Sequence, residues 1–379
     1  MNALVLGGTG PTGPLIVNGL LKRGYEVTIM HGGFHEAEFD GPVEDLHGDV
    51  HFAESLQETL GDRQWDLVVF MYGRLRVTAE FMIGKTKRFI AVGAAGGTAP
   101  PDDPRWGPLG RPFMPARDKL IPMEGNTGGL GYLIQQANLH VLELHNQGHY
   151  NATIIAYPNM YGPRQMAPED WCVVKRILDG RRQIIVPGGG IKIHQRAYTE
   201  NVAHAVMLAV DKPKESAGQL FVAHEQPLYT IRQRIELIAK TMGVELELID
   251  IPFEFAIPSQ YLWFLGPAHV ARDDSKIREV LGYTEQVELG EAMIRTTNWL
   301  IENRAEYEQE WNDQIDETFD YEGEDELIRR WKKAAADLAS VEFKQKPGAH
   351  RYRHPKEPGE EWKRPERTTS YNTRTIEYY

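Results

Sequence analysis

The stretch MNALVLGGTGPTGPLIVNGLLKRGYEVTIMH, residues 1–31, decides the fold of this chain. Residues 3–6 form a short apolar run that is typical of a buried strand. A glycine-rich segment follows and leads into apolar residues at helical spacing, namely Leu15, Ile16, Leu20 and Leu21. Residues 26–30 are a second β-rich run. The pattern therefore predicts a strand, a tight turn, a helix and a second strand.

The glycines of this turn have the spacing of a dinucleotide site. Gly7, Gly10 and Gly13 form G-x-x-G-x-x-G, and Gly8, Gly10 and Gly13 form G-x-G-x-x-G. One glycine allows the sharp turn, one lets a pyrophosphate approach the backbone, and one lets the helix pack on the strand. The free N–H groups at the helix N-terminus favour phosphates. We therefore expect a bound dinucleotide, with a glycine-rich turn that binds nothing as the alternative.

Composition excludes several classes of protein. No apolar run approaches the roughly 20 residues that cross a bilayer, and the N-terminus has no signal-peptide pattern, so we expect no membrane contact. Cys172 is the only cysteine, which excludes internal disulfides and multi-cysteine metal sites and favours a cytoplasmic location. We expect this thiol to pack in the core rather than act as a nucleophile, and we expect no metal site. The net charge of −12 argues against nucleic-acid binding.

The rest of the first half alternates between strand and helix patterns. Strands are predicted up to residue 50, over 65–73, 88–93 and 152–157, and a helix over 132–147. Such alternation predicts an α/β fold with a parallel, doubly wound sheet. The Pro/Gly-rich residues 94–131 are predicted to form a loop that covers a substrate at the carboxyl edge of the sheet.

The second half of the chain is less regular. Short strands are predicted at 183–186, 194–198, 220–223 and 245–251, with helices at 171–178, 201–210, 230–242, 274–281 and 289–303. We divide the chain into a Rossmann-type domain (1–165, with 193–224 returning to it), a smaller substrate-binding part (166–192 and 225–330) and an extended tail (331–379). Residues 344–379 have no apolar periodicity and cannot form a core alone. We therefore expect the tail to lie along another surface, either that of the same chain or that of a second copy. We prefer an arm that wraps a second copy in a homo-oligomer.

The loop after the second strand bears on the choice of cofactor. NAD-specific sites usually place an acid at this strand end, and NADP-specific sites place an arginine nearby. Here the loop reads His31-Gly32-Gly33-Phe34-His35, with neither residue type at the strand end. His31 and His35 could donate to a 2′-phosphate, Glu36 and Glu38 could accept from a ribose diol, and a solvated loop is equally compatible. Because no acid closes the strand, the prediction leans to NADP over NAD.

Further motifs resemble those of a known family. They are Gly48-Asp49, Tyr132 at the head of its helix, residues 158–164 (PNMYGPR), residues 198–203 (YTENVA), Asp274-Ser275-Lys276 and Leu281-Gly282-Tyr283. With the opening glycines they resemble the extended short-chain dehydrogenase/reductase superfamily of the NAD-dependent epimerase/dehydratase type, over residues 1 to about 303. The whole most resembles its atypical branch, which includes the chloroplast stem-loop-binding proteins. The resemblance implies a Rossmann domain with a smaller C-terminal substrate domain.

The sequence departs from this family where the chemistry is concentrated. The family has Ser/Thr after the fifth strand and Tyr-x-x-x-Lys on the next helix. This chain has Gly93, Ala94 and Ala95 at the first place, and Tyr132 followed by Gln136 at the second. The family lysine binds the nicotinamide ribose and favours the tyrosinate by its charge. Its loss puts ordinary reversible dehydrogenase or epimerase chemistry in doubt.

The predicted site combines these residues. Tyr132 and Gln136 are the catalytic candidates, because a spacing of four places them on one helix face. The cofactor-binding candidates are Gly7, Thr9, Gly10, Pro11, Thr12, Gly13, His31, Asp49, Val50, Met71, Tyr72, Gly73, Val92, Gly93, Pro158, Asn159 and Met160. The substrate-binding candidates are Ala94, Trp106, Tyr161, Arg164, Trp171 and Arg196. Core packing for the aromatic residues and surface ion pairs for the arginines are the alternatives.

Three functions follow as hypotheses. The first is an NAD(P)-dependent oxidoreductase that reduces a small organic carbonyl or activated double bond, with Tyr132 as proton donor. The second is an NAD(P)-binding sensor or scaffold without turnover. The third, RNA binding, comes only from the stem-loop-binding relatives, and the net charge of −12 speaks against it.

Overall fold

The computed structural model describes residues 1–94, 129–165, 169–257, 259, 269, 271–315, 319–342 and 357–359. The strands in chain order are β1 (Asn2–Leu6), β2 (Glu26–His31), β3 (Val43–His47), β4 (Leu67–Phe70), β5 (Arg88–Ala94), β6 (Asn151–Tyr157), β7 (Met160–Tyr161), β8 (Gln183–Pro187), β9 (Ala197–Tyr198), β10 (Gln219–Val222) and β11 (Glu247–Ile251). The α-helices are α1 (Gly13–Lys22), α2 (Ala53–Leu60), α3 (Leu75–Phe81), α4 (Leu130–Asn146), α5 (Glu169–Leu178), α6 (Thr199–Asp211), α7 (Ile231–Thr241), α8 (Ser275–Leu281), α9 (Leu289–Glu302), α10 (Arg304–Ile315) and α11 (Tyr321–Ala339). Among these described helices, none combines the length and apolarity that a membrane span requires.

Seven parallel strands form the main sheet in the order β10-β6-β5-β4-β1-β2-β3. Its central strands are apolar and fully buried, as in sheets that are covered by helices on both faces. On one face α1 packs its apolar stripe against β1 and β2, and α6 packs against β5 and β6. On the other face β1 and β4 pack against α2, α3 and α4. This is the α/β, doubly wound sheet that the opening sequence predicts.

The strand order reverses at the centre of this sheet. From β1 the chain first builds outward through β2 and β3, and then crosses back to β4 on the other side of β1. In open α/β sheets the ligand-binding crevice lies at such a reversal, which here corresponds to the carboxyl ends of β1 and β4. The glycine turn after β1 lies at this crevice.

A second core lies beyond the sheet. The parallel pair β8–β11 and the helices α5, α7 and α9 enclose apolar residues that include Trp171, Ile184 and Ile235. After β8 the chain returns to the main sheet, since α6 covers it and β10 pairs with β6. Residues Met1–Phe319 form one compact unit.

A second unit comprises residues Asp320–Tyr379. Within it, the Asp320 carboxylate accepts a hydrogen bond from the Gly323 N–H at 3.0 Å and caps α11. The helix continues across residue 330, where the sequence predicts that the extended tail begins, because Leu327, Trp331 and Leu338 keep a helical spacing past that point. Nearly all of residues 344–379 lie outside the described residues.

Several predicted strands are shorter than the sequence suggests. The third strand ends at His47 instead of residue 50, and β11 begins at Glu247 instead of residue 245. The strand predicted at 65–73 is ordered as β4 over Leu67–Phe70. The strand predicted at 194–198 is reduced to β9, preceded by an isolated bridge between Ile193 and Thr230. The residues between are His194, Gln195 and Arg196, all buried and polar, and their side-chain contacts take the place of a continuous ladder.

Candidate functional site

The turn between β1 and α1 has the geometry of a dinucleotide cradle. Gly7 and Gly8 adopt φ angles of 109° and 92°, which disfavour other residues, and the Gly7 N–H donates to the Met30 carbonyl at 2.9 Å. A Cβ atom on Gly13 would lie 2.2 Å from the Gly8 carbonyl carbon. Gly13 therefore lets α1 begin directly against the turn.

Gly10 is the open glycine of the three. A Cβ atom built there meets no heavy atom within 4 Å, so the backbone at Gly10 faces free space. The next residues, Pro11 and Thr12, lead into the first turn of α1. There the Gly13 N–H donates to the Gly10 carbonyl at 3.0 Å and Pro14 carries no N–H, so the Leu15 N–H is the group that this turn offers to a ligand. This arrangement fits a pyrophosphate, since the space that a side chain would fill lies beside a helix N-terminus.

The segments after β3 and β4 lie where the sequence predicts the adenine side of the site. A Cβ atom on Gly73 would lie 2.6 Å from the Val50 carbonyl oxygen, so the two segments meet closely. Tyr72 is half exposed, and its ring meets that of His51 edge to face. The exposed Asp49 carboxylate accepts from the His51 N–H at 2.8 Å and contacts its ring at 2.7 Å; these bonds lower the pKa of Asp49. Asp49 is therefore an ionised acceptor at the edge of the crevice.

His31 ends β2, at the place where the adenosine ribose is predicted. The ring is buried, its Nε2 lies 2.9 Å from Asp45 Oδ1, and its Nδ1 accepts from the Gly33 N–H at 3.2 Å. Donor or acceptor atoms of His31, Glu36, Asp45 and His47 all lie within 4.8 Å of one another. The sequence prediction included His31 but omitted Asp45, because the two residues come together only through the pairing of β2 with β3.

The catalytic candidates lie on the first turns of α4. Tyr132 and Gln136 are both half-buried, and Leu133 between them is exposed. Gln135 and Asn138 on the same helix are buried, and the Asn138 amide lies beside Gly93. The N-terminus of α4 is thus partly accessible at the carboxyl edge of the sheet.

Strand β5 ends at the same edge. Val92 is buried, Gly93 is half-buried and Ala94 is exposed, so accessibility increases towards the strand end. The predicted covering loop after Ala94, which contains Trp106, lies outside the described residues.

The end of β6 contacts the N-termini of both α1 and α5. Tyr157 is hydrogen-bonded to Thr12 at the N-terminus of α1, and burial raises the pKa of Tyr157 to about 12. Pro158, Asn159 and Met160 follow and are half-buried. The Asn159 amide donates to Glu169 Oε1 at 3.2 Å. Tyr157 was not among the predicted residues, although its position directly before Pro158 indicates the strand end.

Two predicted substrate residues are core residues in this structure. Trp171 is fully buried and packs against Tyr307, because the apolar face of α5 belongs to the second core. Arg196 is also fully buried, and its Nη1 donates to both Asp170 oxygens at 3.0 and 2.9 Å. Arg196 therefore makes a buried ion pair rather than the surface pair considered from sequence, and Trp171 lacks exposed surface for a substrate.

Two further substrate-binding candidates, Tyr161 and Arg164, differ in accessibility. Tyr161 is buried, and its hydroxyl donates to Glu225 Oε1 at 2.7 Å. Arg164 has a φ of 60°, and its Nη1 lies 3.4 Å from the Glu36 carbonyl oxygen. Arg164 thus touches the loop after β2 from the side of β7.

Glu225 and His224 are polar residues that the sequence analysis missed. Both follow β10 at the carboxyl edge of the sheet and are buried. Burial raises the pKa of the Glu225 carboxyl to about 7 and holds the pKa of His224 well below its usual range. Neither His224 ring nitrogen has a hydrogen-bond partner among the described residues. An adjacent His-Glu pair directly after a strand is the signal that could have found them.

Comparison with known proteins agrees with this geometry. Residues 134–223 match the sequence model of the NAD dependent epimerase/dehydratase family. The chain is 26% identical over 172 residues to the uncharacterized protein y4nL of Sinorhizobium fredii. The match covers 40% of this chain and 47% of y4nL, so the chain spans about half the length of that relative. It is 25% identical over 333 residues to the UDP-glucose 4-epimerase of Mycolicibacterium smegmatis, covering 79% of this chain and 98% of that enzyme.

Solved structures share the fold. The dTDP-glucose 4,6-dehydratase DesIV of Streptomyces venezuelae, with NAD and TYD bound, superposes with a TM-score of 0.62 at 19% identity, over 82% of this chain and 99% of that chain. The UDP-glucose 4-epimerase of Thermotoga maritima, with UDP-glucose, superposes with a TM-score of 0.65 at 18% identity, over 80% of this chain and 100% of that chain. The predicted Rossmann fold and the resemblance to the epimerase/dehydratase type are confirmed. The lean to NADP finds no support, since the matched family is NAD-dependent.

Proposed function

Because residues 134–223 carry the signature of the NAD-dependent epimerase/dehydratase family, we propose that this chain binds NAD and performs oxidation–reduction chemistry on a small molecule. The observation that carries the proposal is the glycine turn at the reversal of strand order. Gly10 faces free space there, beside the N-terminus of α1. Both features suit a pyrophosphate, and NAD bound there would supply hydride transfer at its nicotinamide ring.

Sugar nucleotides are the first substrate class to test. The Thermotoga maritima epimerase holds UDP-glucose, and the DesIV structure holds NAD with TYD. We propose Tyr132 as the proton donor to the substrate oxygen, with the Gln136 amide directed to the cofactor ribose. Because Gln136 brings no ammonium to this helix face, we propose that Tyr132 acts as a proton donor in the reduction of a small carbonyl or activated double bond.

A sensor or scaffold that binds NAD without turnover is the second candidate. It is favoured by one specific observation, the replacement of the family Ser/Thr and Lys by Gly93 and Gln136. A single-turnover assay separates the two. An enzyme changes the absorbance at 340 nm when bound NADH meets a carbonyl substrate or when bound NAD⁺ meets a sugar nucleotide that it can oxidise. A sensor keeps either form of the cofactor unchanged across the same screen.

The binding proposal is tested by replacing Gly10. We expect the wild type to bind NADH with a micromolar Kd in a fluorescence titration. Gly10→Val should weaken binding at least 100-fold, because the side chain occupies the space of the pyrophosphate. Gly290→Val is the matched control, since Gly290 also has no heavy atom within 4 Å of its Cβ position but lies on α9, away from the glycine turn.

Two results would contradict the proposal. One is a wild type that binds neither NADH nor NADPH. The other is equal binding by Gly10→Val and Gly290→Val, which would place the dinucleotide away from the glycine turn.

A further inference from the structure

We infer that Asp45 of β3, together with Glu36 of the loop after β2, recognises the adenosine ribose and makes this chain select NAD over NADP. The inference rests on the proposed function, because it requires a dinucleotide in the glycine turn. NAD-specific sites usually place this acid at the end of the second strand. In this chain the neighbouring strand, β3, supplies it instead.

The position of Asp45 follows from strand pairing. In the register of β2 with β3, Ile29 lies opposite Asp45 and His31 lies opposite His47. Because side chains alternate along a strand, these four residues share one face of the sheet. A Cβ atom on Gly8 would lie 3.0 Å from Ile29 Cγ2, so this is the face on which the glycine turn rests. Asp45 therefore belongs to the cofactor side of the sheet.

The hydrogen bonds of His31 define which group is available to a ribose. The Gly33 N–H can only donate, so His31 Nδ1 is the acceptor and the neutral ring carries its proton on Nε2. That proton is donated to Asp45 Oδ1 at 2.9 Å. Both ring nitrogens of His31 are thus engaged, and the ring has no spare donor for a 2′-phosphate.

Asp45 keeps accepting capacity towards solvent. Its side chain is 37% exposed, and His47 Nε2 lies 3.8 Å from Oδ1, beyond hydrogen-bond distance. A carboxylate offers about four acceptor positions, of which His31 uses one. A ribose 2′-hydroxyl can donate to such an oxygen. A 2′-phosphate has only acceptor oxygens and a charge near −2, so the same carboxylate repels it.

Glu36 adds a second negative charge to this place. A carboxylate oxygen of Glu36 lies within 4.8 Å of the Asp45 oxygen and of both histidine nitrogens in the cluster. Two carboxylates close to the ribose oppose a 2′-phosphate more strongly than one. The sequence prediction of NADP rested on the missing acid at the end of β2. The pairing of β2 with β3 brings an acid to that place, so we infer NAD instead.

The same four side chains have the composition of a divalent-cation site. The bond from the Gly33 N–H argues against that use, since a metal on His31 Nε2 would need the proton on Nδ1, where the amide N–H already points. We therefore assign the cluster to the ribose and make metal binding an outcome of the test.

The experiment compares dissociation constants for NAD⁺ and NADP⁺ by calorimetry on the full chain. We expect the wild type to prefer NAD⁺ at least 10-fold. Asp45→Asn retains an oxygen for His31 but removes the charge, and it should weaken NAD⁺ binding about 10-fold while leaving NADP⁺ unchanged or tighter. Glu36→Gln should shift the ratio in the same direction, and the double variant further.

Glu44→Gln is the matched control. Glu44 is the neighbour of Asp45 on β3, but its side chain lies on the opposite face, where it pairs with Arg63. This variant loses one carboxylate charge from the same strand and should leave the NAD⁺/NADP⁺ ratio unchanged.

The outcomes separate this inference from the proposed function. Wild type that binds NAD⁺ with a ratio insensitive to Asp45→Asn and Glu36→Gln would overturn the ribose assignment and leave the proposed function standing. Binding of neither dinucleotide by the wild type would overturn both. A preference for NAD⁺ over NADP⁺ that disappears with EDTA and returns with Zn²⁺ would assign the cluster to a metal and overturn the inference.

Discussion

Tyr132 and Gln136 are the residues on which turnover depends in the proposed function. Both are half-buried on the first two turns of α4 and share one helix face. A half-buried hydroxyl at the carboxyl edge of the sheet is accessible to a substrate and is held in place by its helix. The Gln136 amide can hydrogen-bond ribose hydroxyls but brings no charge to Tyr132.

We expect Tyr132→Phe to lower the rate of substrate reduction by roughly 10²–10⁴-fold, the usual contribution of a positioned acid. The Kd for NADH should stay unchanged, because the hydroxyl acts on the substrate. Stopped-flow absorbance at 340 nm measures both on a substrate found by the screen. Tyr25→Phe is the control, since Tyr25 directly precedes β2, at the opposite end of the sheet. Equal rates for Tyr132→Phe and wild type would move the proton donor to another group.

Cys172 illustrates a residue whose role burial decides. It is fully buried on α5, and burial raises the pKa of its thiol to about 12. A thiol with so high a pKa is not a thiolate nucleophile at neutral pH. The sequence prediction of a packed core thiol agrees with this environment.

At the scale of elements, two buried hydrogen bonds link Glu225, which follows β10, to β7 and to the segment before β9. The Tyr161 hydroxyl donates to Glu225 Oε1 at 2.7 Å, and the Gln195 amide donates to the Glu225 carbonyl at 3.2 Å. Burial raises the pKa of Glu225 from 4.5 to about 7, despite the hydrogen bond from Tyr161, which acts in the opposite direction. The carboxyl therefore links these elements in its protonated form below neutral pH.

This contact predicts a pH-dependent stability. Between pH 4.5 and 7 the unfolded chain ionises Glu225 while the folded chain keeps it protonated, so the folded state binds more protons and stability falls as pH rises. Glu225→Gln removes this dependence and keeps an oxygen for Tyr161. We expect the free energy of unfolding of the variant, relative to wild type, to rise by about 3 kcal/mol between pH 4.5 and 8.

Urea unfolding at several pH values measures that difference. Taking the variant relative to wild type cancels the contributions of other titrating groups. Glu254→Gln, at an exposed carboxyl, is the control and should show a flat difference. A flat difference for Glu225→Gln as well would mean that Glu225 is ionised in the folded chain.

A second buried set of contacts joins α5, α7 and β9. Glu169 and Asp170 in the first turn of α5 meet Arg196 before β9 and Arg234 of α7, with Arg234 Nη2 donating to Glu169 Oε2 at 2.9 Å. Although burial opposes it, the nearby Arg196, His194 and Arg234 lower the pKa of Glu169 to about 2. Each of these charges needs its partners, because an unpaired buried charge is strongly destabilising. Arg196, which the sequence predicted to meet a substrate, therefore stabilises the second core.

At the scale of the whole molecule, the chain consists of residues 1–319 and of a second unit, residues 320–379. The first unit contains the sheet, both cores and the proposed site. The C-terminal sequence beyond residue 343 is rich in Pro, Arg and Tyr and lacks the apolar pattern of a core. An arm that binds a second copy of the chain stays our prediction for it.

Deleting residues 344–379 tests that prediction. We expect the full chain to be an oligomer and the truncated chain to have a lower mass by light scattering, because the arm supplies the contacts between copies. Dinucleotide binding by the truncated chain, measured alongside, serves as the control for folding of the first unit. An unchanged mass after truncation would show that the arm makes no contact between copies.

The sequence by itself determined the Rossmann half of the chain. Its signals are local: an apolar run, a glycine turn, an amphipathic helix and a second apolar run within 31 residues. Steric and periodic constraints act over such short distances, so the order of strand, turn, helix and strand and the positive φ angles of Gly7 and Gly8 follow from neighbours in the chain. The family motifs that follow could be located for the same reason.

Only the tertiary structure decided which polar groups meet. Asp45 reaches His31 through strand register, Glu225 reaches Tyr161 across 64 residues, and Arg196 meets Asp170 inside a core. Burial, and with it the pKa of Glu225 and the role of Trp171, depends on which helix faces pack together. These properties come from contacts between distant parts of the chain, and no local pattern of residue types specifies them.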